Sequence, residues 1–290
     1  MSGRILLVGE HIANGGLGIH GDIATVTALG GNPLSALTIM STTNAPIKRK
    51  AQSVPRDFIT DQIAACYNSP GVDSIKIGAI NSTETIDAIA DAIETSSERV
   101  PVVISPIMVS EMGEAFLNSE AINHFKQRLI PHASLFLLNI RDAELFSGTE
   151  ITDVDSMRRA AQTLHQLGCE AVLITGGLLQ GEELFDILVT GEGENILSMK
   201  KHHIHRAESY RFGGGWVLAT AIATSLGQGF SLMDSINRGR QFVDKAIGTS
   251  FNADQDYQSL NISHTIQPFA HSEQEQPFKV IPGTKFRSFS

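Results

Sequence analysis

The sequence predicts an α/β protein in which a mostly parallel sheet is covered by helices on both faces, three layers in all. Two observations carry this. Short runs of Ile, Val and Leu recur along the 290 residues and are apolar on both faces, and segments of helical periodicity stand between them. The strands expected in order are 4–8, 34–39, 74–77, 102–105, 135–138, 171–175, 185–189 and 196–199. Helices are expected over 18–29, 56–67, 82–93, 120–129 and 154–167, and, after the last strand, over 216–226 and 232–247. A turn-rich Thr190-Gly-Glu-Gly-Glu-Asn195 separates the final two strands, which predicts an antiparallel hairpin at the sheet edge.

Residues 1–252 read as one domain without internal repeat or linker. From 253 to 290 the periodicity fails, and the tail is expected to be an extended strap or partly disordered. Hydrophobic residues make up 42% and charged residues 18% of the chain, an ordinary globular balance able to bury a large core. Net charge is −9 with 22 basic residues spread thinly, so no face for nucleic acid or an anionic membrane is expected. No apolar run approaches the ~18 residues of a membrane span, and the first residues read as a strand rather than a signal peptide. Cys66 and Cys169 lack metal or redox spacing and are expected as buried thiols. A cytoplasmic setting follows as the default.

In an open parallel sheet, ligands lie beyond the C-terminal ends of strands, where loops lead into helices. Three segments fall there. Gly9-Glu-His-Ile-Ala-Asn-Gly-Gly-Leu-Gly18 follows the first strand and precedes a helix bearing Asp22; its glycines would let a ligand approach the backbone. Its spacing is neither a dinucleotide fingerprint nor a P-loop. Asn139-Ile-Arg-Asp142 ends a strand, and its amide and carboxylate could hold a hydrated Mg²⁺ or simply cap a helix. Phe212-Gly-Gly-Gly-Trp216 opens a helix, where free N–H groups and the helix dipole favour an anion; a turn for tight packing is the plainer reading.

Taken in order, these segments resemble the ribokinase-like small-molecule kinases, and within them the hydroxymethylpyrimidine/phosphomethylpyrimidine kinases of thiamine biosynthesis. Gly15-Gly-Leu-Gly-Ile-His-Gly-Asp22 is similar to that family's GGAGIQAD, and Lys76-Ile-Gly78 to its KIGM. Pro106-Ile-Met108 resembles its DPVM, Asn139-Ile-Arg-Asp142-Ala its PNLPEA, and the strand ending in Thr175-Gly-Gly177 its KGG, with Asp186 in the hairpin after it. The resemblance implies ATP-dependent phosphorylation of hydroxymethylpyrimidine or its phosphate, with Mg²⁺ and ATP, in a homodimer. It places Gly9, Asp22, Asn44, Gly78 and Met108 at the pyrimidine. It places Asn139, Asp142, Thr175, Gly177, Asp186 and Arg240 at the nucleotide, with Asp142 reaching Mg²⁺ through water. Gly213 and Gly215 would form the anion hole for the migrating phosphoryl group.

The departures fall on the chemistry. Trp216 stands where the family carries Asp or Cys, and an indole accepts no proton. Thr175 replaces the KGG lysine, Ser105 the DPVM aspartate, Glu111 the lysine of the following stretch, His11 the acid of the first loop, Thr43 a ring-holding Gln or Glu, and Gly214 the turn threonine. Three readings therefore stay open: a kinase of this type, a catalytically silent binder of a pyrimidine phosphate or nucleotide, and a kinase for a pyridoxine-type vitamer with a base such as His11. Elsewhere, His202-His203-Ile204-His205 reads as a strand edge rather than a metal site. Lys48-Arg-Lys50 reads as part of a flap. Arg240 is either a charge at the nucleotide or part of a solvated helix face.

Overall fold

The computed structural model describes residues 2–13, 17–44, 47–96, 98–106, 108, 117–200, 213–254 and 257–267, with the side chains of 43–44, 47–49, 252–254 and 257–258 outside that description. Its centre is a nine-stranded sheet. The strands are β1 (Arg4–Ile12), β2 (Asn32–Asn44), β3 (Ile47–Ser53), β4 (Ser74–Ile77), β5 (Val102–Ile104), β6 (Leu135–Asn139), β7 (Ala171–Thr175), β8 (Glu183–Thr190) and β9 (Gly193–Lys200). They run side by side in the order β3-β2-β1-β4-β5-β6-β7-β8-β9. From β2 through β7 every pairing is parallel; β3, β8 and β9 add antiparallel edges.

The helices are α1 (Gly18–Ala28), α2 (Arg56–Asn68), α3 (Thr83–Thr95), α4 (Ser119–Arg128), α5 (Ile140–Ser147), α6 (Val154–His165), α7 (Gly214–Gly227) and α8 (Leu232–Gly248). Alternation along β1 explains the layering: Leu6 and Val8 enter one apolar cluster, which α2 to α6 cover. Ile5 and Leu7 enter the other, beneath α1, α7 and α8. Each fully buried Leu or Ile contributes roughly 1.5–3 kcal/mol relative to exposure.

Five of the expected strands, β1, β2, β6, β8 and β9, are longer than the apolar runs that predicted them. β2 runs on to Asn44 and folds back through β3, so Lys50 lies on an edge strand that the apolar pattern did not reveal. The β8–β9 hairpin is tighter than expected, since Thr190 pairs with Gly193 and only Gly191-Glu192 turn the chain. Residues 251–259 add a small hairpin of β10 (Phe251–Asp254) and β11 (Tyr257–Ser259). Beyond it Leu260 and Ile262 are buried, the Asn261 N–H donates to the Ala246 carbonyl, and the His264 ring lies 4.7 Å from that of Phe242. This part of the tail is strapped to α8.

Cys169 is buried, and burial pushes its thiol up to about 11; Cys66 is only partly covered, although burial raises its thiol too. At neutral pH, thiol titration of the native protein is therefore expected to label Cys66 slowly and leave Cys169 unreacted until denaturant is added. Rapid labelling of both in the folded protein would contradict this packing.

Candidate functional site

Strand order reverses at β1, which has β2 on one side and β4 on the other, so the crevice at the C-terminal ends of β1 and β4 is the fold's switch point. Glycines line it. A Cβ on Gly9 would sit 3.9 Å from the Gly78 Cα, and one on Gly78 would sit 3.0 Å from Lys76 Nζ and 3.7 Å from Trp216 Cζ2. A larger residue at Gly78 would have to displace one of them.

Two helices point their starts at this edge. α7 runs beneath the sheet, its C-terminal Gly227 against Ser74 and Ile5 and its N-terminal Gly213 against Leu17, which immediately precedes α1. Gly213 has φ 57°, a left-handed conformation that suits glycine, and a side chain there would also collide with Leu17. The first turns of α3, α4, α5, α6 and α8 are closed by Ser82, Asn118, Asn139, Asp153 and Ser231. α1, α2 and α7 have no side-chain cap. The N–H groups of Gly214, Gly215 and Trp216 thus have no partner within the helix, and among the described residues a Cβ on Gly215 would meet nothing within 4 Å.

Trp216 fills part of the crevice. It is 7% exposed, its ring centroid lies 4.5 Å from Lys76 Nζ, and its Nε1 has no hydrogen-bond partner among the described residues. Below the ring lies a fully buried polar cluster. Lys76 Nζ donates to both oxygens of Asp22, at 2.8 and 3.1 Å, and the Thr220 hydroxyl donates to Asp22 Oδ1 at 2.5 Å. Lys76 is 0% and Asp22 1% exposed. Burial pulls the Lys76 ammonium below its usual range, and the Asp22 carboxylate opposes that. Asp22, expected at the pyrimidine, is therefore the counter-ion of Lys76. The sequence reading took Lys76 only as part of a turn. A lysine inside the wholly buried Ser74-Ile-Lys-Ile77 was the signal, because a charge there requires a partner.

The residues expected at the nucleotide assemble along the neighbouring strand ends. Asn139 pairs with Thr175 across β6 and β7, and Thr175 with Asp186 across β7 and β8. Asp186 accepts from the Gly176 N–H at 3.1 Å and from Arg240 Nε at 2.9 Å. Burial raises the Asp186 carboxyl, against the pull of Arg240. Arg240 is only 11% exposed, so the solvated-face reading is corrected: α8 brings it inward to a buried carboxylate. A Cβ on Gly177 would rest 3.9 Å from Leu184 Cδ1 in the turn between β7 and β8.

Asn139 caps α5, its side chain accepting from the Asp142 N–H at 2.9 Å while its amide donates to Asp142 Oδ2 at 2.6 Å. Asp142 Oδ1 in turn accepts from the Met108 N–H at 3.0 Å. The capping alternative is thus realised in the geometry. Asp142 is 1% exposed with both oxygens holding protein donors, and the described residues contain no cluster of three metal-ligating side chains. This arrangement does not fit a directly held resident Mg²⁺; a magnesium ion would arrive on nucleotide phosphates as part of the substrate. Met108 is fully buried in the core cluster rather than lining the crevice. The side chain of Asn44, Glu111 and the His202–His205 run lie outside the described residues. His11 is half-buried with its ring 4.9 Å from that of His20.

A concavity of about 380 Å³ lined by Tyr67, Glu94, Arg99, His132 and Glu170 includes Ile75 and Val102, at the starts of β4 and β5. It is at the opposite end of the sheet from the glycines.

The sequence profile described as Phosphomethylpyrimidine kinase matches residues 13–261. The chain belongs to that family. The bifunctional thiamine biosynthesis protein ThiED of Geobacter sulfurreducens is 37% identical over 251 residues, covering 84% of this chain and 49% of the relative, so the chain spans about half of that protein. The hydroxymethylpyrimidine/phosphomethylpyrimidine kinase of Mycobacterium bovis is 29% identical over 249 residues, covering 86% of this chain and 89% of that kinase. Among solved structures, the pyridoxal kinase of Bacillus subtilis, an ADP complex, aligns with a TM-score of 0.83 at 26% identity over 91% of this chain and 98% of its own. The phosphomethylpyrimidine kinase family and its ribokinase-like α/β fold are thus established for this chain. Among the described residues, no helix is long and apolar enough to cross a membrane.

Proposed function

We propose that the β1–β4 crevice binds a hydroxymethylpyrimidine or its monophosphate, and that the protein phosphorylates it from Mg·ATP far more slowly than a site with Cys or Asp beside the glycine turn. The observation that carries this is the pairing of an uncapped α7 N-terminus with a buried indole at the next residue. The Gly214 and Gly215 N–H groups can stabilise a transferring phosphoryl group. The row Asn139, Thr175, Asp186 and Arg240 borders the nucleotide in this reading. Gly9 and Gly78 let the ring approach the backbone. Trp216 excludes water but can neither take a proton from the alcohol nor attack. A missing general base lowers the rate by about 10²–10⁴-fold.

The test is ADP formation by the purified protein with Mg·ATP and hydroxymethylpyrimidine, its phosphate, or pyridoxal. Slow turnover confined to the pyrimidines is expected. A kcat near ~10 s⁻¹, ordinary for enzymes, would overturn the slow-transfer reading. Turnover only with pyridoxal would favour the vitamer-kinase alternative, which the likeness to the Bacillus subtilis enzyme supports. The burial of Trp216 favours a second reading, a silent binder, distinguished by pyrimidine binding with no ADP at all. A cytoplasmic homodimer completes the proposal; sedimentation checks the second half.

A further inference from the structure

The two strands that end the nine-stranded sheet differ in what they offer to a further strand. β3 carries Lys48-Arg-Lys50, a run of like charges that discourages pairing. β9 carries Ile196 near its middle, and that residue is 52% exposed. Among the described residues no strand lies beyond β9. An open edge with an exposed apolar centre is a template for one more strand.

The pairing with β8 fixes which groups that edge presents. Thr190 and Gly193 flank the turn as a bonded pair, and the register runs without a bulge to Glu183 and Lys200. Bonding alternates along an antiparallel pair, so Gly193, Asn195, Leu197 and Met199 turn their backbone N–H and C=O groups to β8. Those of Glu194, Ile196, Ser198 and Lys200 point outward.

This edge is complementary to itself. Laid antiparallel to a second β9 about a two-fold axis at Leu197, Glu194 faces Lys200 of the second copy, and Ile196 faces its Ser198. Opposed residues then share a sheet face, as a continuous sheet requires. Moving the axis to Ile196 sets Glu194 opposite Ser198, and moving it to Ser198 sets Lys200 opposite Ile196, so only the Leu197 axis pairs the charges. Glu183 already faces Lys200 across β8 and β9, and Arg158 on α6 is ion-paired with Glu194. Rows of alternating charge would thus cross the junction at both ends, with Ile196 and Leu197 of both copies between them. An apolar centre with a charged rim is the usual anatomy of a specific interface.

We propose that β9 is the interface between two copies of this chain, joined as antiparallel edge strands into one continuous sheet. This names the surface of the homodimer in the reading above and does not depend on whether the crevice transfers phosphate. β1 and β4 lie well inside the sheet, so the pairing leaves both crevices open.

Sedimentation of the full chain over a dilution series tests this. The parent is expected to be a dimer that dissociates reversibly. Lys200→Glu opposes two carboxylates at each end and Glu194→Lys two ammonium groups, and each change is expected to weaken dimerisation by about tenfold or more. Mixed in equal amounts, the two variants regain opposite charges at both ends and should dimerise again, which a folding defect in either chain would not allow. Ile196→Pro removes an outward N–H and no bond to β8, so it should reduce dimerisation with little change in melting temperature. A monomeric parent at every dilution overturns both this inference and the homodimer. A dimer that none of the three changes weakens, or variants that stay monomeric when mixed, overturns the β9 surface alone. Should I196P not fold, the mixing experiment decides, and ADP formation tests the crevice separately.

Discussion

Trp216→Cys is expected to raise the rate of ATP-dependent pyrimidine phosphorylation by about 10²-fold or more, the lower end of what a positioned proton acceptor contributes. The surrounding frame is already in place: N–H groups of Gly214 and Gly215 without a partner in their helix, a Gly215 Cβ position uncrowded by the described residues, and the close-packed Gly9 and Gly78. The exchange also removes most of an indole from a crowded site. Large-to-small changes of a buried aromatic cost about 3–5 kcal/mol where the cavity stays empty. Here the cavity opens on the crevice, so water or ligand can enter and the loss should fall near the lower figure. Single-turnover rates with and without the change, beside a thermal melt, separate the two effects. Adding Thr175→Lys supplies a cation at the end of β7 and is expected to raise the rate further. It also places that cation one residue from Gly176, whose N–H binds Asp186, itself the partner of Arg240. A folded W216C with no gain would sink the idea that Trp216 limits transfer.

Lys76→Met is expected to destabilise the fold by about 3–5 kcal/mol, because it strands the Asp22 carboxylate in the interior. The Thr220 hydroxyl would remain as a donor to Asp22, but one neutral hydrogen bond does not replace a bidentate ammonium. For a domain of this size the melting temperature should fall by roughly 10 °C. Asp22→Asn should act in the same direction with a smaller loss, since an amide can still accept from Lys76. The double change Lys76→Met with Asp22→Leu should lose less than the sum of its parts, as buried pairs are often replaceable by apolar groups together but not singly. Denaturant midpoints of the four proteins measure the coupling. If K76M alone melts within a degree of the parent, the pair is not held as described.

Most of the fold was legible because its signals are local. Runs such as Leu135–Asn139 and Ala171–Thr175 are buried on both faces, as strands covered by helices on both sides are. β3 escaped because an edge strand needs no apolar face: Lys50, Ala51, Gln52 and Ser53 are all exposed. The short α5 was seen only as its Asn139 cap. At the site, the glycines were legible because backbone approach admits few alternatives. The partners of Asp22 and Arg240 were not. Asp22 and Thr220 are 198 residues apart, and Asp186 and Arg240 54, so only the closed sheet brings them together.

The Lys76–Asp22 pair has a consequence for how such proteins drift. One residue in each of two signature segments is held by folding, whatever the pocket above them does. A lineage could abandon phosphoryl transfer, bury an indole in the reaction space and still be obliged to keep the aspartate of one segment and the lysine of the other, because losing either alone unravels the floor. The family signature here is a record of architecture, and the side chains free to register a change of trade are the few that face the crevice without a structural partner.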